Sequence, residues 1–266
     1  MKTSIKNVAI SFFLIASITG VSSCQKDAMN AENPQYASIL SVSGDGTSAV
    51  IEANLKSALI ETSALTESEL ASLLKMKEEE KLARDVYAVL GQKWGSPVFT
   101  NISAAENNHL NAIVTLLTTY DASNASVEDA GIFADEAVQS LYNDLIAKAS
   151  VSVDEAYKTG ALIEEMDIKD LTESLNITSN ENVTLVFENL LKGSRNHLRA
   201  FNLQLTNLGL SYLPVYISQD DYTQIVTTAM EKGSQYRMNG QGNSQGKGQG
   251  KGQKGQRNKG NGTCNN

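Results

Sequence analysis

Histidine and cysteine are scarce in this chain, with two of each among 266 residues. Cys24 lies near one end and Cys264 near the other, so no cysteine pair has the spacing of a thiolate zinc site. No glycine-rich phosphate loop follows a strand, and nothing beside the histidines suggests an oxyanion hole for a Ser-His-Asp arrangement. With 41% hydrophobic residues, 20% charged residues and only three prolines, the composition is that of a soluble globular protein.

The two chain ends differ from the middle. Residues 1–23 read as an export signal: Lys2 and Lys6 come first, then the apolar run "VAISFFLIASITGV", which is short for a permanent membrane span. The run ends in "VSSC", which resembles a bacterial lipobox with Cys24 as the lipidated residue. The following "QKD" is similar to the charged tag of Bacteroidetes-type surface lipoproteins. The expected location is therefore the cell envelope, outer membrane or cell surface, with lipid on Cys24 as the anchor. With Cys24 lipidated no intramolecular disulfide is available, and the fold must stand on its core. An ordinary secretory signal is the alternative. Residues 232–266 are rich in Gly, Gln, Lys and Asn and have little to bury, so they are expected to be disordered. Lys2, Lys6 and the seven basic residues from Lys232 onward leave 13 basic residues against all 30 acids in residues 24–231, formally −17. So acidic a body is not expected to take nucleic acid as its main partner. The basic tail suits a protein or polyanion partner, or is a solvated extension.

Residues 24–64 are expected to be a tether with irregular structure, with a possible strand in "TSAVIEANL". From Leu65 the pattern turns helical. Thr66 and Glu69 form a capping box, and the first long helix is expected over 67–90, stopping at Gly91. Further helices are expected near 100–120, 135–149, 153–176, 181–208 and 219–231. Four are long and two short, and only the link between the second and third long helices is extended. This is the pattern of an all-α four-helix bundle over 65–231 with one longer crossover.

Each long helix carries acids or a histidine in the middle of an otherwise apolar face. The first has Leu73, Met76, Glu80, Ala83 and Tyr87, and the second Ile102, Glu106, His109, Ile113 and Leu116. The third has Tyr157, Gly160, Glu164, Asp167, Ile168 and Leu171, and the fourth Leu190, Ser194, His197, Phe201 and Leu205. Buried carboxylates must pair or bind a metal. Bundle-core dimetal sites take a Glu from each of two helices and a Glu-x-x-His from each of the other two. Here Glu80, Glu164 and Glu106-x-x-His109 fit that recipe, while the fourth helix offers His197 with Ser194 in place of the second Glu. Asp167 is the candidate sixth ligand, and Glu165 lies further round the helix.

"EEEKLARDVY" (78–87), "NISAAENNHL" (101–110), "EEMDIKDL" (164–171) and "GSRNHLRAF" (193–201), in that order, resemble a bacterial ferritin-like family of unknown function. "EKLARDVY" is also similar to the first helix of rubrerythrins, where a ligand Glu precedes a Tyr by seven. The resemblance implies a ferritin-like bundle holding iron or manganese, as a mononuclear or dinuclear centre, with Tyr87 beside the ligands. Oxygen and imidazole donors without thiolate suit iron, manganese or zinc. Both imidazoles must be neutral to bind, so affinity is expected to fall below about pH 6.5.

Two functions follow. One is an oxidoreductase or metal-handling protein tethered by lipid. The other is a metal-free scaffold acting as a surface interaction module, its polar layer closed by hydrogen bonds and ion pairs. Arg84, Arg195 and Arg199 lie close enough in sequence to neutralise the acids in that second case. A homodimer is compatible with either.

Overall fold

In the computed structural model the described residues are 40–42, 48–50, 55, 56, 58, 59, 63–122 and 129–231. The export signal, Cys24 and the tail fall outside them, as do residues 51–54 of the expected strand. Among the described residues the architecture is an all-α bundle with four long and two short helices, plus one pair of three-residue strands.

The first long helix, α1 (Glu67–Trp94), starts at the Thr66 N-cap with both halves of the capping box formed. It runs past Gly91 and ends at Gly95, which has the left-handed φ of 63°. The expected stop at Gly91 is therefore corrected, and the reason is a close approach. A Cβ at Gly91 would lie 2.8 Å from Thr100 Cγ2, so the glycine lets the next helix come near while the helix continues. That helix, α2 (Pro97–Thr119), opens with Pro97 just after Ser96, where a missing N–H is harmless. The crossover holds α3 (Glu136–Ala149), capped by Asp135. Then come α4 (Val153–Ile177), capped by Ser152, and α5 (Glu181–Asn207), capped by Asn180.

The last helix, α6 (Gln219–Thr227), is shorter than expected. Thr228 is extended, and Glu231 turns to the arginines of α5, so tertiary contacts replace the last helical turn. The strands β1 (Leu40–Val42) and β2 (Ser48–Val50) pair antiparallel, with Leu40 opposite Val50, and lie along α5 and α2 respectively. No helix among the described residues is long and apolar enough to cross a membrane.

The core is split in two. One apolar cluster gathers the C-terminal half of α1, the start of α2, the start of α4 and the end of α5, around Tyr87, Phe99, Tyr157 and Phe201. The other gathers Leu73 and Met76 of α1, Ile113 and Leu116 of α2, Leu171 of α4 and Phe187 of α5, with Leu55 from the segment before the bundle. Thus α1 and α5 run toward the first cluster while α2 and α4 run away from it. Between the clusters every long helix contributes buried polar groups: Glu80, Glu106 with His109, Glu164 with Asp167, and Ser194 with His197.

One buried acid outside that layer ties the bundle together. Glu69 Oε2 accepts from the Thr66 N–H, while Oε1 accepts from the N–H groups of Ser179 and Asn180 and the Thr178 hydroxyl. A single carboxylate therefore caps α1 and pins the α4–α5 turn. Burial pushes its pKa up, but these donors outweigh burial and bring it down to about 2 from 4.5. A depressed carboxyl contributes stability above its unfolded pKa and loses it as pH falls through the folded one. Glu69→Gln is expected to lower unfolding free energy by about 2 kcal/mol at pH 7. The gap to the unmodified chain should close between about pH 4.5 and 2 in denaturant melts; a gap independent of pH would show that the charge is not what holds the turn.

Candidate metal centre

The five strongest sequence candidates meet in one place. Glu106 Oε2 lies 2.7 Å from His109 Nδ1, which also lies 3.1 Å from Glu80 Oε2. The other oxygen of Glu106 lies 2.9 Å from His197 Nδ1, which lies 3.5 Å from Glu164 Oε2. The two imidazoles stack with centroids 5.4 Å apart and planes 18° from parallel. Two triads of donor atoms result, Glu80–Glu106–His109 and Glu106–Glu164–His197, each with its atoms within 4.8 Å of one another. Glu106 belongs to both and turns one oxygen to each. The helix geometry explains this: Glu106 and His109 are one turn apart on α2, while α1 brings Glu80 to His109 and α4 brings Glu164 to His197.

His109 Nδ1 and Glu80 Oε2 are hydrogen-bonded, but the other contacts are proximity without pairing. Neither oxygen of Glu106 takes a well-directed hydrogen bond, although an imidazole nitrogen is near each. Glu80 Oε1, Glu164 Oε2, His109 Nε2 and both ring nitrogens of His197 are likewise buried without a hydrogen-bond partner. Buried polar atoms are normally satisfied, so this concentration of unpartnered carboxylate oxygens and ring nitrogens suits a bound cation. Oxygen and imidazole donors with no sulfur fit a divalent first-row metal. These buried Glu and His groups are able to hold one.

The arginines do not serve as counter-ions for the layer. Arg84 donates to Asp85. Arg195 and Arg199 both reach Glu231, and Arg199 also takes the Ile225 carbonyl and Thr228. Ser194 bonds back to the Leu190 carbonyl of its own helix. Glu165, the rival on α4, points out of the layer and accepts from the N–H groups of Val215, Tyr216 and Ile217. Asp167 is buried in the layer with Oδ2 unpartnered, yet it joins neither triad. The Tyr87 hydroxyl donates to Glu164 Oε1 at 2.6 Å and lies 3.2 Å from the Gly160 carbonyl oxygen.

The charges are strongly perturbed. Burial pushes the Glu80 carboxyl up to about 8, assisted by Glu106 and opposed by His109. Burial and Glu106 push Glu164 up to about 7. Burial also opposes ionisation of Glu106, but the two imidazoles overcome it and hold Glu106 well below the usual carboxylate range. His197 is disfavoured as a cation by burial, yet Glu106 and Glu164 bring it up to about 9, and His109 is raised for the same kind of reason. Carboxylates therefore hold the imidazole protons more tightly than solvent would.

Residues that the sequence did not single out flank the centre. Lys75 of α1 lies 2.8 Å from Asp170 of α4 and 3.5 Å from Glu79. Burial first, then Asp170, pushes Glu79 up to about 8. Within "EEE" at 78–80 only Glu80 looked inward by helical spacing. Asp170, three residues beyond Asp167, was the available signal.

Helices and site together define an all-α bundle with a buried glutamate–histidine layer able to hold metal. The chain belongs to the family described as an uncharacterized protein domain (DUF2202), whose sequence model matches residues 69–229. It is 43% identical over 170 residues to the uncharacterized protein MJ0754 of Methanocaldococcus jannaschii, covering 64% of this chain and 92% of that one. The crystal structure of the hypothetical protein MJ0754 from Methanococcus jannaschii matches with a TM-score of 0.63 at 41% identity, over 65% of this chain and 99% of that one.

Proposed function

We propose that this chain is a ferritin-like metal protein whose bundle holds two divalent ions, iron or manganese, with an oxidoreductase or metal-handling role. The observation that carries the reading is the shared Glu106, one oxygen toward each histidine, at the junction of two buried donor triads. Glu80 and His109 would hold one ion, Glu164 and His197 the other, and Glu106 would bridge them. When bound, such a pair supplies one- or two-electron exchange with dioxygen or peroxide. The chain's own part is placement and exclusion. Tyr87 fixes the Glu164 carboxylate by its short hydrogen bond, and the two apolar clusters keep bulk water from the layer. In the same proposal residues 1–23 direct export, lipid on Cys24 anchors the bundle of residues 65–231 to the cell envelope, and the basic tail remains free to meet an anionic partner.

The test is elemental analysis of the full chain after anaerobic loading with ferrous iron or manganese. About two ions per chain are expected. Loading displaces protons from Glu80, Glu164 and the histidines, so affinity should be higher at pH 8 than at pH 6, with acid released into weakly buffered solution. No bound metal, with intact helical circular dichroism, would move the protein to the metal-free scaffold.

A further inference from the structure

Carboxylates continue from the centre toward the surface along one seam. On α4, Glu164, Asp167 and Asp170 recur every three residues, each about 60° further round, so they climb about 9 Å of helix while turning from its inner face toward its flank. Their exposure rises along that line: Glu164 is fully buried, Asp167 is 2% exposed and the Asp170 side chain 13%. Across the seam on α1, Glu80 is fully buried, while the next residue, Glu79, has a side chain 16% exposed. Lys75 spans the outer end of the seam, 2.8 Å from Asp170 and 3.5 Å from Glu79, with 54% of its own side chain in solvent. Asp167 Oδ2 and Glu79 Oε2 are buried atoms without a hydrogen-bond partner.

Packing does not account for this row. Buried and half-buried acids elsewhere in the bundle are met by donors, Glu69 by backbone N–H groups, Glu165 by three of them on one oxygen and Glu231 by two arginines. Asp167 has no such seal, although it lies between the outer pair and the centre. A line of inward-stepping carboxylates with open lone pairs draws cations and repels anions.

We propose that the seam Asp170–Glu79–Asp167 is the port through which a divalent cation reaches the centre, with Lys75 as its displaceable plug. Asp167 is then a way station rather than a sixth ligand, which fits its absence from both triads. An arriving cation replaces the Lys75 ammonium between Asp170 and Glu79 and passes to Asp167. The exposed lysine leaves at little cost because a half-solvated ion pair is weak. This inference rests on the metal centre proposed above.

The experiment is stopped-flow uptake of cobalt(II) by the metal-free full chain, followed by cobalt absorbance, together with equilibrium titration of the same samples. The double variant Asp170→Asn, Glu79→Gln is expected to take up cobalt about tenfold more slowly at unchanged stoichiometry. Lys75→Met should load several-fold faster than the unmodified chain. Asp154→Asn is the control, since it removes an acid in the first turn of the same helix whose side chain is 37% exposed and which touches none of the seam residues. Double-variant rates equal to those of the unmodified chain, or slowed no more than the control, overturn the port and leave the centre standing. Loss of stoichiometry in the double variant overturns it too, by making those residues ligands. Failure of the unmodified chain to bind cobalt at equilibrium overturns the centre itself, and the port with it.

Discussion

Glu106→Gln is expected to empty both of the proposed metal positions, whereas Glu80→Gln and Glu164→Gln are each expected to empty one. The difference follows from membership. Glu106 alone belongs to both triads, with Oε2 2.7 Å from His109 Nδ1 and Oε1 2.9 Å from His197 Nδ1. Losing it removes one of three protein donors from each position and the negative charge between two cations. Disturbing a group that merely supports a ligand already lowers metal affinity by about 10–100-fold, so losing the shared ligand should lower it by more than about 100-fold. Glutamine keeps the volume and the helix, so the bundle should stay folded, and circular dichroism checks that. His109→Ala should retain no more than the ion held by Glu164 and His197. Elemental analysis of the four variants reads the pattern directly. Equal loss in Glu80→Gln and Glu106→Gln would mean one mononuclear site rather than two linked positions, and full retention in Glu106→Gln would remove the basis for the centre.

The faces that build this site were readable because a helix repeats every 3.6 residues. Glu80, Glu106, His109, Glu164 and His197 each stand in the middle of an apolar stripe, and all five are buried where the stripes meet. A local signal also marked a helix start: Thr66 with Glu69 forms its capping box in the structure. What was not readable depends on partners far away in sequence. Gly91 looks like a helix stop until Thr100 is placed against it. Glu69 reads as half of a capping box, and nothing local says that it also binds the N–H groups of Ser179 and Asn180. Whether Arg195 and Arg199 turn to the acids or away is decided by Glu231, a residue beyond the last helix. Glu79 hid in a charge run because its partners, Lys75 and Asp170, span two helices. Spacing on one helix reveals which face is inward; which inward group meets which is settled only when helices pack.

Packing at Gly160 shows how narrow that settlement is, and it gives the largest stability effect expected outside the centre. A Cβ at this position would lie 2.5 Å from Cε1 and Cζ of Phe201. The Phe201 ring is fully buried, with Tyr87 at 5.3 Å and Phe99 at 5.7 Å between centroids, so it cannot withdraw freely. Inside a helix Ala is ordinarily about 1 kcal/mol better than Gly. Here the clash should reverse the sign, and Gly160→Ala is expected to destabilise the chain by about 1–3 kcal/mol, lowering Tm by about 2–4 °C for each kcal/mol in a domain of this size. Phe201→Leu withdraws the ring edge at its own cavity cost. In that background the added methyl meets space, and Gly160→Ala should become neutral or stabilising by up to about 1 kcal/mol. A double-mutant cycle in denaturant melts measures the reversal. Equal destabilisation in both backgrounds would place the cause elsewhere. The same contact reaches the site: pressure on Phe201 bears on Tyr87, whose hydroxyl holds Glu164. Gly160→Ala should therefore weaken the ion held by Glu164 and His197 more than the one held by Glu80 and His109, an asymmetry that simple loss of stability would not produce.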